Sequence, residues 1–399
     1  MHNIAFWGFT ASPYQLKMQA LADAAGVPWR RLPEQASTPQ AWGMTWRLRR
    51  AQRAQAVQRF PAMEAGLDEY PFVPFYTLDG RQFFYDSSGL AYQLEALTPG
   101  GKTLLPQQPL QRFICQLIDE AFDEFGLYMV HHNRWVTSAA TNCMGDFTGR
   151  EMRKLLPLGM HRLAARTLPA RQVRRCPYLF SVAPPGFDAG VSANITPPAR
   201  LGFPPTHDIL DSAWRRYLAS MEHILQHQPY LLGDQFTLAD ASAYGQLSMN
   251  LADGRAADLL QEFAPLTYRW LCMIRDRDHA ASHGALRLSE HLRPLLENIA
   301  ETFIPLMQQN AAAYDAAIKQ GQTLFNEAAF DRGEALYEGT LLGQPFRTVV
   351  KSFQVPVWRD LCRAWSELES GQREQLQTLC PLLTDAQFCA DAPLVQAIN

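Results

Sequence analysis

The sequence predicts an α/β domain followed by a mainly helical domain and a further, mostly helical extension. Three observations predict it: a β-α-β opening, a change to helical periodicity after about residue 110, and a length of 399 residues, too great for one compact core. Apolar residues make up 47% and charged residues 19% of the chain, an ordinary globular balance that can fill several cores. The net charge of -3 gives no electrostatic reason to expect a nucleic-acid or anionic-membrane partner. No apolar run approaches the ~20 residues of a membrane span.

The elements follow in order. Residues 3–9 are apolar and aromatic, as in a buried strand. A helix follows from Pro13, with Leu16, Ala20 and Ala24 at helical spacing and Gly26 as its stop. The segment around Trp29 reads as a second strand. Arg47, Arg49, Arg50, Arg53 and Arg59 form a basic helical patch, either a solvated face or a rim that attracts anions. Two aromatic-rich strands then flank Asp79-Gly80, a hairpin turn signal. The helix from Gly89 closes the first domain near residue 98, and the Gly/Pro-rich segment after it reads as a linker.

From 110 to 280 the pattern is mainly helical. The proline density between 168 and 206 predicts a long surface loop in place of regular helix. Beyond 281 come more helices, then a hairpin turning at Gly343, then a helical tail from 356. These breaks give three expected domains: 1–98, 99–280 and 281–399.

The seven cysteines (Cys115, Cys143, Cys176, Cys272, Cys362, Cys380, Cys389) are odd in number and widely spaced, with no C-x-x-C. That pattern predicts reduced thiols in a cytoplasmic protein, with neither a disulfide framework nor a structural zinc site. No basic and apolar leader is visible at the N-terminus.

Ser12-Pro13 stands where the first strand gives way to the first helix. Ser is a preferred N-cap and Pro fits the first helical position, so a capping role accounts for the pair. The same position has chemical value. Unpaired N–H groups and partial positive charge at a helix N-terminus stabilise an anion or thiolate, and a Ser hydroxyl adds one donor. The run from Phe6 to Leu21, with Ser12, Pro13 and Lys17 in an S-P-x-x-x-K pattern, resembles the start of serine-type glutathione transferases. Three further segments agree with this resemblance. Val73-Pro74 precedes a strand, as the family's cis-proline does; a trans proline opening an edge strand is the alternative. Asp86-Ser87 resembles the family's acid–serine pair, although a plain helix cap fits equally. Thr237 and Asp240 resemble its capped helix in the second domain, a folding signal without catalytic content.

The resemblance implies a thioredoxin-like N-terminal domain and an all-α glutathione-transferase C-terminal domain. It covers about residues 3–275. It implies glutathione as cosubstrate, with Ser12 activating its thiol, Val73 and Pro74 pairing with the cysteinyl part, and Asp86 and Ser87 holding the γ-glutamyl group. Phe9, Thr10, Tyr14, Tyr128, His131 and Trp135 are the candidates for a pocket receiving a small apolar electrophile, Thr10 and Tyr14 also as reserve donors. The family is usually dimeric, so a homodimer is expected. Dithiol chemistry is excluded, because the segment reads S-P-Y-Q where glutaredoxins have C-P-Y-C. A non-catalytic scaffold that keeps the fold is the competing expectation, since fold does not dictate function.

The stretch 119–135 carries Asp119, Glu120, Asp123 and Glu124 ahead of His131, His132, Arg134 and Trp135. Asp119 and Asp123 share a helix face, as do Glu120 and Glu124. An internal ion-pair network such as Asp123–Arg134 is expected. The adjacent histidines and the lack of H-E-x-x-H argue against a metal there.

Overall fold

The computed structural model describes residues 4–62, 67, 73–98, 100, 103–157, 159–187 and 199–388. Residue 3, several positions of the expected linker, part of the proline-rich segment and Cys389 lie outside these.

The chain opens with β1 (Ile4–Trp7), α1 (Pro13–Ala24), β2 (Trp29–Leu32), α2 (Thr38–Arg53), β3 (Gln58–Arg59), β4 (Phe75–Thr77), β5 (Phe84–Tyr85) and α3 (Ser87–Leu97). The strands form one mixed sheet in the order β2-β1-β4-β5-β3. β1 and β2 are parallel, with Phe6 opposite Arg31, and β4 runs antiparallel to β1, with Tyr76 opposite Phe6. β1 is buried on both faces, which explains its unbroken apolar run. The expected hairpin turns at Gly80, whose φ of 72° lies in the left-handed region. This is a thioredoxin-like layer, with α1 and α3 packed together on one side of the sheet. Of the expected basic helical patch, only Arg47, Arg49, Arg50 and Arg53 lie on α2; Arg59 belongs to β3.

The helical part follows as α4 (Pro109–Glu120), α5 (Leu127–His132), α6 (Met144–Glu151), α7 (Met160–Arg175), α8 (His207–Leu225), α9 (Leu238–Leu247), α10 (Gly254–Phe263) and α11 (Pro265–Arg275). The expected capping box is present at the start of α9: Asp240 Oδ2 accepts from the Thr237 backbone N–H at 2.9 Å and from its hydroxyl at 2.8 Å. α1 lies directly on α9. A Cβ at Gly245 would sit 2.8 Å from the Pro13 carbonyl oxygen and 2.8 Å from Lys17 Cβ, so only glycine permits this approach.

Proline density argued against helix from residue 168, yet α7 runs through Pro169. Pro169 leaves the Ala165 carbonyl without its helical donor. The Gly145 backbone of α6 backs onto that carbonyl, at a spot where a Cβ would come within 2.2 Å of the oxygen. α6 and α7 therefore pack closely at the break.

The extension contains α12 (Arg293–Glu301), α13 (Phe303–Lys319), α14 (Glu327–Arg332), the hairpin β6 (Leu336–Leu341) and β7 (Gln344–Val349), then α15 (Gln354–Ser366), α16 (Ser370–Leu379) and α17 (Asp385–Phe388). The hairpin turns at Leu342 and Gly343, both at positive φ, as expected for Gly343. The extension shares the core of the helical part. Phe113 of α4 meets Trp365 and Phe388 edge-on at 5.5 and 5.6 Å, and those two rings stack on each other at 4.5 Å.

Candidate functional site

The sheet, α1, α3, α4 and α15 enclose a cavity of about 660 Å³. Its first-domain wall includes Tyr14, Val73, Pro74, Asp86 and Ser87, so five of the expected site residues converge. The Val73–Pro74 peptide is cis. Asp86 sits at the N-cap of α3 with φ 87°, and its Oδ1 accepts from the Gly89 backbone N–H at 2.8 Å. Its other oxygen pairs with Arg59 at 2.5 Å. The acid is thereby fixed beside the positive end of α3. Ser87, the first residue of α3, has its hydroxyl 3.5 Å from Asp123 Oδ2.

Ser12 is the N-cap of α1, and its side chain makes no capping hydrogen bond. The hydroxyl is therefore not consumed by the role that would most simply explain it. Ser12 is nearly buried beside the cavity rather than in its wall.

The remaining candidates are arranged differently from the expectation. Thr10 is held by Glu151, which accepts from its N–H at 3.1 Å and from its hydroxyl, while Arg31 donates to the same hydroxyl. It is not a spare donor. Phe9 is buried away from the cavity. Tyr128 stacks on Phe180 at 5.6 Å and accepts from the Gln354 amide at 3.1 Å, so it anchors α15 instead of lining the pocket. His131 and Trp135 face another compartment, where Trp135 packs with Met144, Val173 and Cys176. Burial pushes the His131 ring down to about 3, with Arg134 adding to the effect, so it is neutral.

The expected Asp123–Arg134 pair does not form. Eleven residues separate the two, on the order of 16 Å along a helix at ~1.5 Å per residue and too far for a direct pair, and residues 121–126 and 133–137 wind as π turns. Arg134 instead meets Asp253 at 2.8 Å and donates to the Met249 carbonyl at 2.6 Å. Asp123 belongs to Lys17. The Lys17 ammonium lies 2.6 Å from both Asp119 Oδ1 and Asp123 Oδ2, and donates to the Ser88 hydroxyl at 2.7 Å. Two carboxylates overcome the burial of Lys17 and hold its pKa above the usual value. Asp123 is pushed up to about 6 by burial against the pull of Lys17, which leaves it ionised at neutral pH.

Glu120 and Glu124 occupy the same wall. Burial raises both, Glu124 to about 8 despite a 2.9 Å hydrogen bond from Gln354. At pH 7 Glu124 is mostly a neutral acid facing the cavity. Between about 4.5 and 8 the folded state holds a proton that the unfolded state has released, so stability falls as pH rises through that window. One such group gives a slope of up to about 1.4 kcal/mol per pH unit. Glu124→Gln is expected to flatten the pH dependence of the urea midpoint between pH 5 and 8; an unchanged slope would assign it to other groups.

Sequence reasoning missed the opposite wall. Phe353, Pro356, Val357, Arg359, Asp360 and Arg363 come from α15 and the residue before it. Arg59 and Arg112 add positive charge, so the cavity offers both acids and guanidinium groups. Cys115 also lines it, but burial first and Asp119 second push its thiol up to about 12. It is no thiolate at neutral pH. Nothing in the chain pattern brings α15 to this wall, since its apolar stripe fits any helix packed on a core.

Residues 204–278 match the glutathione S-transferase C-terminal domain family. No curated protein matches the chain by sequence. Among solved structures the chain is similar to a β-etherase from Sphingobium sp. strain SYK-6, at 17% identity and a TM-score of 0.40, covering 69% of this chain and 96% of that one. It is also similar to a glutathione S-transferase from Methylobacillus flagellatus with glutathione bound, at 14% identity and a TM-score of 0.33, covering 69% and 98%. A third, from Sinorhizobium meliloti 1021, gives 14% identity and a TM-score of 0.37, covering 73% and 98%. The family match lies within the helical part, over α8 to α11.

Proposed function

We propose that this chain is a glutathione-transferase-like enzyme that binds glutathione in the cavity and directs its thiolate at a small, apolar electrophile. The supporting observation is convergence. The cis Val73–Pro74 peptide, the Asp86–Ser87 start of α3 and the start of α1 meet on one side of a single cavity, beside a domain that matches the family. Glutathione carries one ammonium and two carboxylates. In this reading Asp86 takes the ammonium, while Ser87 and the α3 N-terminus take the adjacent carboxylate. The backbone of Val73 pairs with the cysteinyl unit, which brings the sulfur toward Ser12. The thiol proton passes to solvent. The S–C bond then forms as the leaving group departs with its electron pair. Residues 1–98 form the glutathione-binding domain, 99–280 the transferase domain and 281–399 the extension. The same reading makes the protein a cytoplasmic homodimer.

The role of Ser12 is tested by thiol titration of bound glutathione. Lowering the thiol from ~8.5 by ~2 units requires about 2.7 kcal/mol of preferential thiolate stabilisation. A hydroxyl donor and a helix N-terminus are of the right size to provide it. Ser12→Ala is expected to raise the pKa of the bound thiol by about 1 unit or more, while glutathione still binds. Equal thiolate formation in both proteins would remove Ser12 from the mechanism.

A second reading has its own support. α15 walls the cavity and Ser12 stands outside its lining, an arrangement that suits a binding or scaffold protein that has lost glutathione chemistry. Absence of glutathione binding at millimolar ligand would favour it.

A further inference from the structure

We propose that His223, His227 and His291 form a binding site for a divalent transition metal, zinc above all, that ties the transferase domain to the extension. One ring nitrogen from each lies within 4.8 Å of the other two. The 3.4 Å between His223 Nε2 and His291 Nδ1, a hydrogen-bond contact without metal, matches the edge of a tetrahedron with metal–nitrogen bonds of about 2.0–2.1 Å, which is about 3.4 Å. The His227 ring lies on His291 at 3.8 Å, tilted by only 14°. His227 is exposed, so its side chain is free to rotate off this stack and bring a nitrogen toward the other two.

The sequence and fold prepare this arrangement. His223 and His227 stand four residues apart across the end of α8, the spacing that puts two side chains on one helix face. The C-terminus of α8 presents carbonyl oxygens and partial negative charge, favourable to a cation. His291 sits in the short turn Glu290–Leu292, which is fixed on both sides. Leu292 is fully buried, and the Ser289 hydroxyl donates to Gln228 Oε1 at 2.8 Å. Asn298 of α12 donates to the Arg216 carbonyl at 3.0 Å and to the Ser220 hydroxyl at 2.7 Å, which pins α12 along α8. Two of the three ligands thus come from the matched domain and the third from the chain beyond it. Three imidazoles leave a fourth position for water. An all-nitrogen set selects zinc, copper or nickel over calcium and magnesium, which require oxygen ligands.

The test is titration calorimetry of zinc chloride into the untagged full-length chain after chelator treatment, without glutathione, with calcium and magnesium as controls. One zinc is expected to bind at this site, with no heat from calcium or magnesium and a melting temperature that rises with zinc. His223→Ala and His291→Ala are each expected to weaken that binding by more than about tenfold, since losing a ligand costs more than losing an outer-shell partner. If His291→Ala also lowers the metal-free melting temperature, His223→Ala carries the comparison. No zinc binding, or binding of equal strength in the variants, would overturn the proposal. The outcome is independent of whether the cavity takes glutathione.

Discussion

Lys17→Met is expected to destabilise the folded protein by about 3–5 kcal/mol, because it leaves two carboxylates without their cation in the interior. Lys17 is wholly buried, and Asp119 and Asp123 are nearly so. Their attraction does not make the triad a large net source of stability, since taking three charges out of water costs nearly as much. Removing one member is a different matter. Asp119 keeps a hydrogen bond from Ser242, but Asp123 Oδ1 already has no partner and Oδ2 would lose its strongest one. The orphaned acids can escape by taking up protons, so the loss should be smaller at pH 5 than at pH 8. Lys17 stands on α1 and the acids on α4 and the turn that follows it, so the penalty falls on the docking of the two domains. Urea unfolding measures it through a lowered midpoint. The double variant with Asp123→Asn is expected to recover part of the loss, and a loss below about 1 kcal/mol in Lys17→Met would refute this account of the interface.

The second large effect is on ligand affinity. Ser87→Ala is expected to weaken glutathione binding by about 10- to 100-fold. A hydrogen bond to a charged group is worth about 1.5–3 kcal/mol, and every 1.4 kcal/mol is a factor of ten. Ser87 opens α3, whose first residues line the cavity, and its neighbour Asp86 is locked by Gly89 and Arg59. Replacing the hydroxyl leaves that frame in place. A change in affinity with an unchanged urea midpoint would mark a binding role, and a fall in both would mark a structural one. Calorimetric titration with glutathione reads the first quantity directly.

The fold was legible where local chemistry and packing agree. The aromatic run of β1, the Asp79-Gly80 turn, the capping box at Thr237 and the Gly343 turn each carry their own instruction in neighbouring residues. Pro169 misled because one proline inside α7 removes a hydrogen bond without ending the helix, and α6 packs on that point through Gly145, a contact no local rule connects to it. Arg134 misled because a shared face says nothing of distance: eleven residues of helix, on the order of 16 Å, lie between it and Asp123, whereas Asp253 comes to it from a distant part of the chain. The cavity was half legible. Val73, Pro74, Asp86 and Ser87 are marked by motif. The α15 wall is a long-range packing outcome in which Gln354 reaches Glu124 and Tyr128 across more than two hundred residues of chain. The histidine cluster left one trace, the four-residue spacing of His223 and His227. His291 completes it only through the docking of the extension.

The central claim is that the cavity binds glutathione, and calorimetric titration of glutathione into the full-length wild-type protein tests it most directly. A saturable isotherm with one site per chain and a dissociation constant below the millimolar range is the expected result. A folded protein that gives no binding heat at millimolar glutathione would contradict the claim.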